Sequence, residues 1–437
     1  MSRPSLLPWR ISTAAVFSLL GLWNPGTARA DRMLILDDPV QAAQVRVDLI
    51  QQAKKTIRAQ YFIVGHDPLT YAGLALARDA VWRGCDVRII IDASFNRMPP
   101  SVSGYLLTQG VQIKVYHPFR LSRLSWFTRR MHDKGLSIDG RKMVRGGRNV
   151  EDSYFGRAER NFVDRDVYLE GKVVRDSDAY FDDLWNSGEV SWIDSRKLNA
   201  RRYEEGRQLI DAALAGVAKS RKWKLATGRD WGRAARDVGP VRFLHDPVGK
   251  KGLAPGIAES LRDLVREGRR TILIESPYLV PTPEFLREIR SAKAAGVRSI
   301  EIVTNSAGAT DGLYTHAGYE ASRAKLCRLG VQLWEFKGPD TLHAKSAVID
   351  NRTAIVGSFN LDPRSQHLNT ETAVATRDTP TSLALARAIN AHKPLSWRIG
   401  PDGRPLGDTA GYPGSSPLTR LKLSVFRLLL PLMRAQL

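Results

Sequence analysis

The feature that most constrains the fold of this 437-residue chain is an internal duplication of a strand–helix–strand unit. Each copy has an apolar run typical of a buried strand, an amphipathic helix ended by a glycine, and a second apolar run. The N-terminal copy comprises 59–64, 71–83 and 87–92, and the C-terminal copy comprises 271–278, 283–295 and 299–304. Helices that alternate with buried strands pack on the faces of a sheet, so the pattern predicts an α/β fold present twice, as two homologous lobes.

A short polar motif recurs at equivalent points of the two copies. His132, Lys134 and Asp139 follow the first copy, and His343, Lys345 and Asp350 repeat the same spacing in the second. With 8 histidines in the chain, a Lys at +2 and an Asp at +7 would occur by chance about 0.02 times. Two occurrences in a duplicated frame therefore indicate a functional site.

The spacing suits a strand that leads into a turn. Along 131–138, His132 and Lys134 are two residues apart and would face the same side of a strand, while Asp139 opens the turn that follows. Asn149 and Asn360 follow the two motifs at equal distances and add amide donors. Together the copies would surround one pocket with two imidazoles and two ammonium groups, which suits a phosphate diester.

Two histidines favour a two-step transfer. One attacks phosphorus to form a phosphohistidine, and the other protonates the leaving alcohol and then deprotonates the acceptor. His132 is the preferred nucleophile. No metal or other cofactor is expected, because Lys134 and Lys345 take the electrostatic role of a metal ion and the sequence lacks a cluster of metal ligands.

Three acidic residues follow the asparagines and are candidates to orient the histidines: Asp164, Asp166 and Glu371. The alternative is that they form salt bridges with Arg148, Arg165 or Arg364, and the sequence leaves both interpretations open.

The N-terminus and the charge predict where the protein works. Residues 1–30 combine arginines, a short apolar stretch and a small-residue cleavage site at Ala30, a pattern typical of a secretory signal peptide. An uncleaved anchor is the alternative. The net charge of +21 favours polyanionic partners, and export makes nucleic acid an improbable one. We therefore expect a periplasmic or extracellular protein bound peripherally to an anionic membrane surface, with no obligate protein partner.

The remaining segments differ in character from the two copies. Residues 196–236 hold 12 Lys+Arg and 4 Asp+Glu and predict a basic helical connection. Residues 399–417 are typical of a loop, and 418–437 form a basic amphipathic segment, suited either to a membrane or to packing within the protein. The predicted organisation is a signal peptide (1–30), a first lobe (31–195), a connection (196–240), a second lobe (241–398) and a C-terminal segment (399–437).

The duplicated motif and its flanks resemble the phospholipase D superfamily over roughly residues 34–400. The flanks that carry this resemblance are 130–134, 146–149, 152–156, 276–278, 304–306, 316–319 and 357–365, and they are most similar to those of bacterial cardiolipin synthases of the C subtype. The resemblance implies two phospholipase D-like lobes, each a β-sheet flanked by helices, related by a pseudo-twofold axis around one shared active site. It also implies a phosphatidylated histidine intermediate, with Asp139 and Asp350 supporting the site without transferring protons.

These observations leave several functions open. The leading hypothesis is a phosphatidyltransferase that makes cardiolipin from phosphatidylglycerol and a second phospholipid. A secreted phospholipase D would complete the same first half-reaction with water and release phosphatidic acid. A metal-independent phosphodiesterase or nuclease would also suit the charge, whereas a silent lipid-binding protein would not need two intact motifs.

Overall fold

A computed structural model describes the chain over residues 30–196, 198–219, 227–249, 256–407 and 421–428. The predicted signal peptide, apart from Ala30, lies outside these residues, as do parts of the C-terminal segment. Within the described residues, no helix has the length and apolar character needed to cross a membrane.

The first lobe is built on one mixed sheet. Its strands and a short neighbouring strand are β1 (Asp31–Leu36), β2 (Thr56–Tyr61), β3 (Asp86–Asp92), β4 (Gln112–Tyr116), β5 (Lys134–Ile138), β6 (Lys142–Gly146), β7 (Phe162–Val163), β8 (Asp166–Glu170), β9 (Val190–Trp192) and β10 (Arg236–Gly239). Among the described residues, the sheet order is β10-β1-β8-β6-β5-β2-β3-β4-β9. Its helices are α1 (Pro39–Gln52), α2 (Pro68–Trp82), α3 (Pro100–Thr108), α4 (Lys172–Asn186) and α5 (Ala200–Ala218).

The second lobe repeats this plan. Its strands are β11 (Arg242–His245), β12 (Thr271–Glu275), β13 (Ser299–Asn305), β14 (Val331–Phe336), β15 (Thr341–Leu342), β16 (Ser346–Ile349), β17 (Thr353–Gly357), β18 (Thr372–Thr376) and β19 (Ser396–Ile399). The described part of its sheet has the order β11-β18-β17-β16-β12-β13-β14-β19, and β15 pairs with β7 of the first lobe. Its helices are α6 (Ile257–Arg266), α7 (Pro283–Ala294), α8 (Leu313–Arg328), α9 (Pro363–His367) and α10 (Thr379–Asn390). The predicted pair of α/β lobes is confirmed.

The duplicated helices begin and end through the same local chemistry. Helix α2 starts at a proline after Asp67, whose carboxylate accepts a hydrogen bond from the Thr70 N–H at 2.9 Å, and α7 starts at a proline after the capping residue Thr282. Gly84 and Gly296 follow these helices with φ of 92° and 91°. Only glycine adopts this left-handed conformation without strain, so both helices stop there and the chain returns to the sheet.

The two sheets face each other across a shared apolar core. Buried side chains of β1, β6 and β8 pack there against buried side chains of β16, β17 and β18, together with residues of α4 and α10. The strands beside the two motifs therefore share one apolar core, and the motifs lie at the lobe interface.

Most of the predicted connection over 196–240 that the structure describes packs on the first lobe. Helix α5 buries Ile210, Ala213 and Val217 in the core of the first lobe, and its Asp211 binds Arg78 of α2 at 2.6 Å. Strand β10 then pairs with β1. The apolar stripe of α5 explains this packing, because burying such a face against a lobe lowers the free energy of the fold more than leaving it exposed between the lobes.

Candidate active site

The two histidines lie where the lobes meet, and each is held by the opposite lobe. The backbone N–H of His132 donates to the carbonyl of Thr370 at 3.0 Å, and that of His343 donates to the carbonyl of Val163 at 2.7 Å. The prediction that His132 lies within a strand is wrong, because β5 begins only at Lys134. The N–H of His132 bonds to the other lobe and not to the neighbouring strand, so the regular strand begins two residues after His132.

Each imidazole also binds a carboxylate of the opposite lobe. Nδ1 of His132 lies 2.9 and 3.0 Å from the two oxygens of Glu371, and Nδ1 of His343 lies 2.6 Å from Oδ2 of Asp164. All four side chains are buried. An Nδ1–H donated to a carboxylate leaves Nε2 as the basic nitrogen of a neutral ring. The site therefore contains two crossed histidine–carboxylate pairs, each drawn from both lobes.

Both lysines of the motifs reach the same buried pocket. Lys134 Nζ donates to the His132 carbonyl at 2.5 Å, and Lys345 Nζ donates to the His343 carbonyl at 2.5 Å. Lys345 Nζ also lies 2.8 and 3.0 Å from the ring nitrogens of His343. The ammonium groups are thus positioned beside the imidazoles, where the oxygens of a bound phosphate diester would need positive charge.

Burial perturbs the titration of all four of these groups. Burial, aided by the neighbouring lysines, holds the pKa of His132 well below its ordinary value, and the pKa of Lys134 is likewise well below its own. Burial also lowers the pKa of Lys345 to about 8. The pKa of His343 falls through burial and the charge of Lys345, although Asp164 opposes the shift. These shifts favour neutral histidines, and a bound phosphate anion would favour protonated lysines.

The two carboxylates differ in their environments. Burial raises the pKa of Glu371 to about 7, although Lys134 and hydrogen bonds from Ser358 and Ser365, at 2.5 and 2.7 Å, oppose this. For Asp164 burial also acts upward, but the charge and hydrogen bond of His343 outweigh it and hold the pKa far below its ordinary value. Asp164 is therefore the stronger support for a protonated imidazole.

A steric constraint explains why a serine contacts Glu371 in the second copy but no serine contacts Asp164 in the first. Gly147 occupies the position in the first copy that Ser358 occupies in the second. A Cβ added at Gly147 would collide with Asp164, so only glycine allows that carboxylate its position. Sequence reasoning missed the roles of Ser358 and Ser365, although the glycine–serine difference between the two copies was a usable signal.

The motif aspartates do not reach the histidines. Asp139 accepts hydrogen bonds from the backbone N–H groups of residues 54–56, at the start of β2, whereas Lys134 pairs with Tyr61 at its end. Five residues of strand separate these points by about 17 Å. Asp350 binds the N–H groups of residues 269–271 in the same way. Both aspartates anchor the chain that enters a central strand.

Of the three acidic candidates, the structure brings Asp164 and Glu371 to the histidines but not Asp166. The carboxylate of Asp166 binds Arg46 at 2.9 Å and Arg148 at 3.2 Å, so the salt-bridge alternative holds for this residue. Asp166 is the first residue of β8, where its side chain turns toward α1. Sequence spacing alone did not distinguish it from Asp164, two residues earlier.

The two asparagines have different surroundings. The Asn149 oxygen accepts from the Ile63 N–H at 3.0 Å, and its amide donates to the Tyr154 hydroxyl at 2.8 Å. Tyr154 in turn lies edge-on to His343, with ring centroids 5.2 Å apart. The Asn360 amide oxygen is buried without a hydrogen-bond partner among the described residues. Asn149 thus positions an aromatic wall, while Asn360 keeps hydrogen-bonding capacity for a ligand.

Aromatic rings that sequence reasoning did not assign complete the pocket. Phe62 lies edge-on to His132 with centroids 4.8 Å apart, and Lys134 Nζ lies 5.0 Å from the centre of the same ring. Phe162 lies 5.0 Å from His343. Within the described parts of the chain, no group of three His, Cys, Asp or Glu side chains is arranged to hold a metal ion. Cys85 and Cys327 are both free thiols.

Comparison with known proteins relates this geometry to a family. A family model described as "Cardiolipin synthase, PLD-like domain" matches residues 47–185 and 261–393, one stretch in each lobe. Cardiolipin synthase C of Escherichia coli K12 is 29% identical over 408 residues, which cover 83% of this chain and 85% of that protein. An uncharacterized protein of Helicobacter pylori J99 is 25% identical over 404 residues, covering 84% of this chain and 80% of that one.

A solved structure has a similar fold. The crystal structure of phosphatidylserine synthase from Haemophilus influenzae Rd KW20 superposes with a TM-score of 0.67 at 18% identity. The superposition covers 94% of this chain and 98% of that one, so the likeness extends over both lobes.

Proposed function

The chain belongs to the cardiolipin synthase, PLD-like domain family, and on that premise we propose that this phosphatidyltransferase makes cardiolipin from phosphatidylglycerol and a second phospholipid. The observation that carries the proposal is the pair of crossed histidine–carboxylate contacts flanked by two buried lysines. Such a site offers a nucleophile, a proton donor and two cations to a single phosphate diester.

In the first step His132 is the nucleophile. Glu371 holds the Nδ1–H, so the Nε2 lone pair attacks phosphorus. The P–N bond forms while the bond from phosphorus to the glycerol headgroup oxygen breaks. The leaving oxygen takes a proton from His343, and glycerol departs. The strongly lowered pKa of His132, caused mainly by burial, supports its assignment as the neutral partner.

His343 is the acid–base group of both steps. A phosphate diester in the pocket draws the Lys345 ammonium toward its oxygens and away from the imidazole. His343 Nε2 then carries a proton that the ionised Asp164 stabilises. In the second step neutral His343 accepts the proton of an acceptor hydroxyl, whose oxygen attacks the phosphohistidine and releases His132. When the acceptor is phosphatidylglycerol, the product is cardiolipin.

Two lysines stabilise charge on the diester throughout. Lys134 and Lys345 come from different lobes, so both non-bridging oxygens meet an ammonium group. The aromatic walls formed by Phe62, Tyr154 and Phe162 limit the access of water to the intermediate. This favours transfer to a lipid hydroxyl over hydrolysis to phosphatidic acid.

We also propose that the reaction takes place outside the cytoplasm at an anionic membrane surface. The signal-like pattern of residues 1–30 and the net charge of +21 support this location. N-terminal sequencing of protein purified from the cell envelope tests it. A mature chain that begins near Asp31 is expected, and recovery of the protein from the cytoplasm with residues 1–30 intact would contradict the proposal.

Product analysis tests the assigned reaction. Purified protein is incubated with phosphatidylglycerol vesicles, with and without phosphatidylethanolamine, and the lipids are separated by mass. Cardiolipin and free glycerol are expected from phosphatidylglycerol alone, and the vesicles with phosphatidylethanolamine identify the preferred donor. Phosphatidic acid as the main product would instead assign a phospholipase D.

A further inference from the structure

The large apolar side chains that are exposed in the described parts of this protein are unevenly distributed. Eleven large hydrophobic residues are exposed among the described parts of the chain. Six of them, which we call the collar, lie on three segments around the candidate site: Phe95, Phe119, Leu121, Leu421, Val425 and Leu428. Their exposed fractions range from 37% to 81%. Single exposed apolar residues need no explanation, but a group around a site does.

The first collar segment contacts the catalytic pocket directly. Phe95 packs on Phe62 with ring centroids 4.2 Å apart, and Phe62 lies edge-on to His132. Phe95 is thus two aromatic contacts away from the proposed nucleophile, at the outer side of the pocket.

Arg364 connects the other two segments to the same pocket. Its Nη2 donates to the carbonyl of Thr128 at 2.8 Å, in the loop that follows β4 and carries Phe119 and Leu121. The charge of Arg364 also contributes to the lowered pKa of His132, and it opposes the rise that burial causes in the pKa of Tyr314 of α8. Tyr314 packs edge-on against Phe426 of the C-terminal helical residues 421–428, with centroids 5.7 Å apart. The loop follows the carboxyl end of β4, and the C-terminal helix packs on Ala307 just after the carboxyl end of β13, so both lie at the strand ends that carry the site.

The C-terminal helical residues are oriented with an apolar side outward. Leu423 is buried against Ala307 and Ala317, and Arg427 forms a salt bridge with Glu320 of α8. Leu421, Val425 and Leu428 remain exposed on the other side. The helix thus docks on the second lobe with one side and still presents apolar side chains. The sequence allows either membrane contact or internal packing for this segment, and the internal contact is present.

The exposed charges beside the collar are positive. Arg120 and Arg123 flank Leu121 in the loop, and Lys422 lies next to Leu421 in the helix. Apolar side chains bordered by arginine and lysine suit the boundary between acyl chains and anionic headgroups, where each type finds its preferred surroundings. A second protein surface would not explain why the collar lies at the strand ends that carry the site, which is where a lipid must approach His132.

We propose that the collar is a membrane-docking surface that inserts into an anionic bilayer and seats the mouth of the active site on it. This inference rests on the proposed function, because it takes a bilayer phospholipid as the substrate. A phospholipid can then reach His132 without its acyl chains crossing water. The docked protein also keeps its intermediate beside a second lipid, which favours transfer.

Vesicle binding by full-length variants tests the collar. A variant with Phe119, Leu121, Leu421 and Leu428 changed to serine is compared with the wild type by cosedimentation with phosphatidylglycerol vesicles. The expected loss of partitioning is at least about tenfold, since four apolar side chains no longer leave water. The matched control changes Trp82 and Leu383 to serine. These exposed residues lie near the strand ends opposite the histidines. Trp82 ends α2, just before β3 begins, and Leu383 lies in the first turns of α10, just after β18 ends.

Two further measurements separate this inference from the proposed function. Turnover of monomeric dihexanoyl phosphatidylglycerol should be the same in the collar variant and the wild type, because this substrate needs no bilayer. If the wild type turns over no phospholipid, the proposed function fails, whereas vesicle binding still reports on the collar. Unchanged vesicle binding by a folded collar variant would overturn the inference. If the same variant also loses a wild-type dimer in sedimentation, the collar is instead a contact with a second copy of the chain.

Discussion

At the residue scale, the crossed contacts divide the work between two histidines that the sequence motif makes look alike. His132 faces a glutamate whose pKa is raised by burial, and His343 faces an ionised aspartate. Changing either histidine to alanine should lower turnover by at least about 10³-fold, because neither can be both nucleophile and acid. Thermal unfolding of each variant serves as the control for folding. Near wild-type turnover in either variant would refute the two-histidine mechanism.

The intermediate identifies which histidine attacks. Rapid quenching of the wild-type enzyme during turnover, followed by peptide mass spectrometry, should find the phosphatidyl group on His132. An adduct on His343 would reverse the two roles.

The environment of His343 makes a prediction about pH. The Asp164→Asn variant removes the negative charge that favours protonated His343. The pKa of His343 then falls further, so its proton is lost at lower pH. The alkaline limb of the kcat/KM profile should move down by about one pH unit or more, with the acid limb less affected. A profile that only decreases in height, with its limbs in place, would show that Asp164 has a structural role alone.

At the element scale, the motif aspartates hold the backbone that enters the central strands β2 and β12. Asp350→Ala removes acceptors for three backbone N–H groups at the start of β12. Allowing for solvent exposure, the loss of unfolding free energy should be about 2 kcal/mol. Burial raises the pKa of Asp350, but these hydrogen bonds outweigh it and keep the pKa below its ordinary value. The carboxylate therefore stabilises the fold above the unfolded pKa, and the difference from Asp350→Ala should shrink as pH falls below about 4.

Activity distinguishes this anchoring role from a catalytic one. The folded Asp350→Ala variant should retain most of its kcat at 25 °C while its melting temperature drops. The matched variant His343→Ala should behave in the opposite way. A loss of kcat in Asp350→Ala as large as that in His343→Ala would place the aspartate in the chemistry.

Elements were predictable from sequence where local chemistry decides them. The helices over 68–82 and 283–294 and the strands beside them follow from apolar period, capping residues and terminal glycines. The irregular backbone at His132 was not predictable, because its N–H donates to the carbonyl of Thr370, which is far away in the sequence. For the same reason spacing did not separate Asp164 from Asp166. The partners of His132 and Asp164 lie in the other lobe, and Asp166 binds Arg46 of α1, so these contacts leave no local signal in the sequence.

At the scale of the whole molecule, the site exists only because two lobes meet. Each lobe supplies one histidine, one lysine and the carboxylate for its neighbour's histidine. Arg165 of the first lobe and Glu275 of the second, whose side chains are 2.5 Å apart in a buried salt bridge, reinforce this junction. The arrangement explains why the duplication is the most informative feature of the sequence.

The convergence of two lysines from separate lobes predicts catalysis without a divalent metal. Activity on phosphatidylglycerol vesicles should survive exhaustive treatment with EDTA, because Lys134 and Lys345 supply the positive charge at the diester. An apo enzyme that has lost all activity and regains it only with added Mg²⁺ or Zn²⁺ would contradict this. Vesicle binding measured in parallel controls for effects of EDTA on the membrane.

The central claim is that the phosphatidyl group passes through a covalent histidine intermediate before it reaches its acceptor. The stereochemistry at phosphorus tests this most directly. Phosphatidylglycerol made chiral at phosphorus with oxygen isotopes is converted by the wild-type enzyme, and the configuration of the product is determined. Two successive in-line displacements invert phosphorus twice, so the account predicts overall retention. Overall inversion would show a single direct attack by the acceptor and would contradict the phosphohistidine mechanism.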